Sequence, residues 1–257
     1  MLNHRSVNLI FPLLFILLLT LDLRIGISNW FYPALVLVKL GIMFWGSYFI
    51  NSNYHIKTLC EVKTDKKEIA ITFDDGPDKN VTPALLEVLN KHSAKAAFFC
   101  IGRKIEGNEA VLKKIDSEGH VIGNHSFSHS NFFDFFTAGK MKREFEQSDK
   151  LVFDAIGKQM NFYRPPYGIT TPAMKKAVKE KQYETIGWSV RSMDSMQKNE
   201  QKLMNKLTKQ LKPGAVFLFH DTWTGVVPLM DKFLTEAKAQ GYTIVRPDEL
   251  FNVKAYK

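Results

Sequence analysis

Thr72-Phe73-Asp74-Asp75-Gly76-Pro77 closes the apolar run Ile69-Ala70-Ile71 with two adjacent carboxylates and a turn. The run reads as a strand, so the acids sit at its mouth. Neighbouring side chains on an extended chain point to opposite sides, so Asp74 and Asp75 share a site only if the strand ends between them. Two acids with two roles is the chemical reading. A hairpin-type turn is the competing one, because Asp-Gly and Gly-Pro are ordinary turn punctuation.

Outward from this stretch, apolar runs alternate with helix-like segments. Strands are expected near Ile69–Phe73, Ala96–Ile101, Val121–Ile122, Thr185–Trp188, Ala215–Phe219 and Tyr242–Val245. Helical periodicity is clearest at Phe145, Val152 and Ile156, and again at Val226, Met230, Phe233, Leu234 and Ala237. Thr82-Pro83 and Thr171-Pro172 read as an N-cap followed by a first-turn proline. The alternation predicts an α/β fold with a parallel sheet or barrel. In a βα barrel the strand ends carry the active site, and the chemically interesting residues fall there.

Three further motifs follow strand runs. His125-Ser126-Phe127-Ser128-His129 places two imidazoles four apart, and with a carboxylate they suit a hydrolytic zinc-type site or a facial-triad iron site. Arg164-Pro165-Pro166-Tyr167-Gly168 is a rigid turn with a guanidinium and an exposed backbone N–H. Leu218-Phe219-His220-Asp221 ends a strand with an imidazole. Each alone has an ordinary explanation: loop histidines, a surface arginine, a core histidine. Their recurrence at successive strand ends argues for function.

Taken in this order, the motifs resemble the NodB-homology polysaccharide deacetylases of carbohydrate esterase family 4, over roughly Lys66 to Phe251. The resemblance implies an irregular (β/α) barrel, with the deacetylase domain at 68–252. It implies that Asp75, His125 and His129 bind a divalent metal, usually zinc, with cobalt or another divalent ion as alternatives. Asp74 is then the general base, Arg164 its partner, Tyr167 the donor of a backbone N–H to the oxyanion, and His220 the acid for the leaving amine. Leu218, Trp188 and Asp194 are expected to line the substrate pocket. Ser126 and Ser128 are expected to be loop hydrogen bonders, since no covalent intermediate is implied.

One region departs from the family pattern. Where D-x-x-D-W is common, Arg191 replaces the first acid and Ser195 the tryptophan. The first acid helps tune the general-acid histidine, so Asp194 is the expected substitute partner for His220. Loss of the tryptophan removes an apolar groove wall.

Two apolar stretches, about 7–21 and 30–50, precede a polar linker at 51–67. They read as two spans or a helical hairpin, with a signal peptide as the rival for the first. The second, at about 31 Å as helix, is long enough to cross the hydrocarbon core. Trp30, Tyr32, Trp45 and Tyr48 suit the interfaces, while Lys39 within the second stretch must snorkel or find a partner. If both stretches span, Arg5, Lys57, Lys63, Lys66 and Lys67 share a side against Arg24 in the loop, and the positive-inside rule puts the domain in the cytoplasm. With a single span the domain could face outward.

The net charge of +9 is mostly scattered lysine, with no basic block interleaved with aromatics, so nucleic acid is not an expected partner. Cys60 and Cys100 lack metal-type spacing and indicate no disulfide framework. The expected protein is a membrane-anchored hydrolase that removes an N-acyl group, most simply acetyl, from an amino sugar of a polysaccharide, peptidoglycan or lipid-linked glycan. Membrane lipid is the other expected partner, and no protein partner is expected. The competing readings are an O-deacetylase, a non-catalytic metal-holding glycan-binding module, and a small transporter or membrane scaffold.

Overall fold

The computed structural model describes residues 2–196 and 199–257. Two helices, α1 (His4–Ile25) and α2 (Phe31–Tyr48), lead into β1 (Thr58–Leu59), β2 (Glu68–Asp74), α3 (Thr82–Lys91), β3 (Ala97–Cys100), α4 (Gly102–Ile105) and α5 (Glu109–Ser117). There follow β4 (Val121–Asn124), α6 (Ala138–Ile156), β5 (Phe162–Tyr163), α7 (Pro172–Lys181), β6 (Glu184–Ile186) and β7 (Val190–Arg191). The chain ends with α8 (Glu200–Lys209), β8 (Val216–His220), α9 (Val226–Ala239), β9 (Thr243–Val245) and α10 (Pro247–Phe251). The six expected strand runs all form strands. The two-residue strands β1, β5 and β7 join them, too short to show any alternation in the sequence.

The sheet runs in the order β1-β6-β5-β4-β3-β2-β8-β7, with β9 pairing the start of β2, and every pairing is parallel. Both ends of this series are reached by one stretch of chain, because β6 and β7 are separated only by residues 187–189. There the Gly187 N–H donates to the Leu59 carbonyl at 2.8 Å and the Ser189 N–H to that of Val216 at 3.0 Å. The sheet is thereby curled into the irregular (β/α) barrel that the sequence predicts. Residues 51–67, expected as a polar linker, carry β1 and lie against the sheet through buried Thr58 and Cys60.

Alternation along β2 decides what faces where. Ile69, Ile71 and Phe73 point outward into a core shared with Phe98, Phe217, Phe219, Leu85 of α3 and Phe233 of α9. Thr72 and Asp74 point inward. The periodic residues of α6 are buried at Met141, Phe145 and Val152, between a Thr137 cap and a left-handed Gly157. Thr171 caps α7 as expected, accepting from the Met174 N–H. Thr82 does not cap α3. It is the first helical residue, and its hydroxyl donates instead to buried Asp221 at 2.6 Å.

The apolar stretches form antiparallel helices of 22 and 18 residues, both long and apolar enough to cross a membrane. Only Val7 and Phe11 of α1 and Gly46 of α2 are buried, all at the end nearest the barrel. They close around Tyr54, whose ring approaches so closely that a Cβ on Gly46 would lie 2.3 Å from it. The His4 N–H donates to the Tyr54 carbonyl, closing the base of the hairpin, and the Thr170 N–H donates to that of Ser47, tying the base to the barrel, both at 3.0 Å.

Candidate active site

Parallel pairing aligns Asp74 at the end of β2 with Phe99 of β3 and His220 of β8. The strand does end between the two acids. Asp75 takes φ +73°, a left-handed conformation that turns its carboxylate to the same rim as Asp74. Ser126 (φ +63°), His129 (φ +46°) and Tyr167 (φ +61°) adopt left-handed backbones nearby. Such conformations cost about 1–2 kcal/mol per non-glycine residue, and their clustering is typical of functional sites.

Arg164 holds Asp74. The guanidinium is fully buried, donating to Asp74 Oδ1 at 2.7 Å, Thr72 Oγ1 at 2.8 Å, and the carbonyls of Ile186 at 3.0 Å and Gly187 at 2.7 Å. It also lies over the Phe99 ring, 4.1 Å from its centroid. Burial lowers its pKa, opposed by the neighbouring Asp74 charge. A buried guanidinium needs this full set of acceptors, and Asp74 supplies its counter-charge.

Asp75 and the two histidines meet on the other side. Asp75 Oδ1 lies 3.3 Å from His129 Nε2 and 3.6 Å from His125 Nε2. It is buried and has no hydrogen-bond partner among the described residues. The His125 Nδ1–H donates to the Arg164 carbonyl at 2.8 Å, leaving Nε2 with its lone pair toward Asp75. Burial, then the neighbouring His125, lowers the His129 pKa to about 4, so this ring is neutral at physiological pH. One donor atom from each of the three residues falls within 4.8 Å of the others. An anionic oxygen and two imidazole nitrogens converging with no proton donor between them fit a divalent cation. Ser126 acts as expected, its Oγ accepting the His129 N–H, whereas Ser128 contributes its backbone N–H to Glu144 and its hydroxyl has no partner among the described residues.

Across the opening, His220 Nδ1 lies 2.8 Å from Asp194 Oδ1, while Asp194 Oδ2 accepts the His220 backbone N–H at 2.9 Å. Burial lowers the His220 pKa, but the Asp194 hydrogen bond and the charges of Asp194, Asp74 and Asp75 outweigh it, and the net shift is upward. Asp194 moves down: burial raises it, and the His220 contacts more than offset that. Tyr167 donates its hydroxyl to Asn131 and stands edge-on to the His129 ring, 4.8 Å between centroids.

These residues surround one cavity of about 220 Å³, whose wall also includes Trp188, Arg191, Ser195 and Leu218. Every residue expected at the site from sequence is therefore near it, with Arg164 and Asp194 just behind the surface. Asp221 is the residue sequence reading passed over. It is fully buried, burial pushes its carboxyl up to about 7, and its N–H contacts the Asp74 carbonyl at 3.3 Å. Its position directly after His220 was the only available signal.

The sequence profile of the polysaccharide deacetylase family matches residues 61–186. A Bacillus subtilis protein, peptidoglycan-N-acetylmuramic acid deacetylase PdaA, is 35% identical over 191 residues, covering 73% of this chain and 72% of that one. The chain belongs to the polysaccharide deacetylase family. A Bacillus cereus peptidoglycan-N-acetylglucosamine deacetylase is 36% identical, covering 76% of this chain and 92% of that one. The crystal structure of the Bc1960 peptidoglycan N-acetylglucosamine deacetylase superposes with a TM-score of 0.73 at 30% identity, over 77% of this chain and 94% of that one. As a polysaccharide deacetylase the protein is a hydrolase of carbohydrate metabolism, in a metal-dependent family.

Proposed function

We propose that the protein hydrolyses the N-acetyl group of an amino sugar, with Asp74 as general base and His220 as general acid. The observation that carries this is the pairing of each group with its own partner on opposite sides of one cavity: Arg164 behind Asp74, Asp194 behind His220. Asp75, His125 and His129 would hold a divalent ion, zinc in the first instance, which when bound would supply Lewis-acid activation of the amide carbonyl and the attacking water.

Asp74 Oδ1 is committed to Arg164, so Oδ2 is the oxygen that takes the proton from water as it adds to the carbonyl carbon. The Tyr167 N–H, aimed by its left-handed backbone, donates to the developing oxyanion. Asp194 fixes His220 Nδ1, leaving Nε2 to give a proton to the amine as the C–N bond breaks. Leu218 lines the space for the acyl methyl and Trp188 the sugar side. Arg191 and Ser195 leave the base, the acid and the cation ligands intact, which favours an active enzyme over a binding module.

The test is acetate release from N-acetylglucosamine oligomers by the full chain in detergent, with zinc or cobalt, beside a chelated sample and Asp74→Asn. The full chain is the right material because Tyr54 and His55 are buried at the hairpin base. Cation-dependent release lost in Asp74→Asn supports the reading. Release from ester substrates alone would turn it into an O-deacetylase.

A further inference from the structure

The catalytic cavity shares three of its wall residues, Tyr167, Trp188 and Arg191, with a second cavity of about 260 Å³. The other side of that second cavity is the end of the apolar hairpin, Tyr48, Phe49, Ile50 and Asn51. Tyr48 and Phe49 are about half exposed and pack edge-on, 5.2 Å between centroids. A ligand long enough to fill both cavities would reach the end of α2, a helix that is mostly apolar and exposed. The hydrogen bonds from His4 and Thr170 to the hairpin base hold that arrangement in place.

Between the two cavities stands a cation, Arg191. The Arg191 guanidinium lies over the Trp188 ring, 5.8 Å from its centroid, and makes no ion pair among the described residues. A guanidinium offers a planar fork of donors that matches a phosphate bidentately. Hairpin charge asymmetry agrees: Arg5, Lys57, Lys63, Lys66 and Lys67 lie on the barrel side and Arg24 in the last turn of α1 at the far end, a bias that favours a cytoplasmic barrel if both helices span.

Resting on the deacetylase reading above, we infer that the substrate is an N-acylated amino sugar carried on a membrane lipid through a phosphate. Arg191 contacts the phosphate, and residues 48–51 flank the start of the lipid. Water is the only co-reactant. The acyl C–N bond breaks and a C–O bond forms, giving a carboxylic acid and a free amine that stays on the lipid-linked sugar.

The experiment compares three probes with the full chain in phospholipid vesicles: N-acetylglucosaminyl diphospho-undecaprenol in the same vesicles, UDP-N-acetylglucosamine, and soluble N-acetylglucosamine pentamer. Expected is a kcat/KM for the lipid-linked probe about tenfold or more above either soluble one, a margin the size of one charge-assisted contact. Arg191→Ala should narrow the lipid-to-pentamer ratio by a similar factor, with Arg191→Lys restoring part of it. Equal use of the sugar nucleotide, or preference for the pentamer, overturns the inference and leaves the deacetylase standing. Acetate from none of the probes overturns both.

Discussion

His220 Nδ1 and Asp194 Oδ1 meet at 2.8 Å, and the second Asp194 oxygen takes the backbone N–H of the same histidine. Asp194 therefore fixes both the tautomer and the strand end that carries the ring. As the proposed general acid His220 must enter the reaction protonated, so kcat/KM should fall as pH rises through its pKa, which the pair holds above the ordinary 6.5. Asp194→Asn should move that alkaline limb to lower pH and reduce kcat/KM by about 10²-fold. A pH–rate profile of both proteins checks it, and an unmoved limb would detach Asp194 from the acid.

Arg164 is the most heavily committed side chain in the barrel. Arg164→Met leaves Asp74 buried without its counter-charge and should cost about 3–5 kcal/mol of stability. Arg164→Lys should not restore activity, because an ammonium cannot serve Asp74, Thr72 and two carbonyls from one plane. Denaturant unfolding and acetate release, measured side by side, separate the two losses.

Chelation should stop turnover and also lower the melting temperature. A cation at about 100 times its dissociation constant adds about 2.7 kcal/mol to the folded state. His125→Ala should abolish the difference between loaded and chelated protein by differential scanning calorimetry. A cation-dependent shift that survives this substitution places the ion elsewhere.

Asp221 carries a proton in the fold at pH values where the unfolded chain has lost it. Its pKa is raised from 3.8 to about 7, so the folded state binds more protons over that window and stability falls as pH rises through it. Asp221→Asn keeps an acceptor for the Thr82 hydroxyl and removes the ionisation. In chelated protein it should flatten the stability curve between about pH 4 and 7, where the linkage operates. A slope equal to wild type would show the carboxyl is not its source.

Gly76 comes so close to Asp221 that a Cβ would lie 2.2 Å from Oδ2. Gly76→Ala should therefore displace the Asp74-Asp75 turn, with a stability loss of about 1–3 kcal/mol, as for other overpacked core sites. Thermal unfolding reads the loss directly.

Much of this site was legible because the chemistry falls at strand ends and β2, β3 and β8 are long enough to show their burial. Asp194 could be named as the partner of His220 from the displaced acid alone. The depth of Arg164 could not. In sequence it is an arginine before two prolines, and only the carbonyls of Ile186 and Gly187, contributed by a distant turn, make full burial tolerable. Thr82 misled for a related reason, since its hydroxyl is drawn from capping to a carboxyl 139 residues away. The hairpin helices followed directly from hydropathy, whereas their contact with the active-site rim depends on Gly46 fitting against Tyr54, which no periodicity encodes.

The seam between β6 and β7 has one more consequence. The turn whose Gly187 and Ser189 N–H groups close the barrel also supplies the Ile186 and Gly187 carbonyls that position Arg164. The joint that completes the architecture thus also sets, through Arg164, where Asp74 sits. Thermal softening of this seam should register as lost turnover while the rest of the sheet is still intact, which makes the enzyme's own rate a local thermometer of barrel closure.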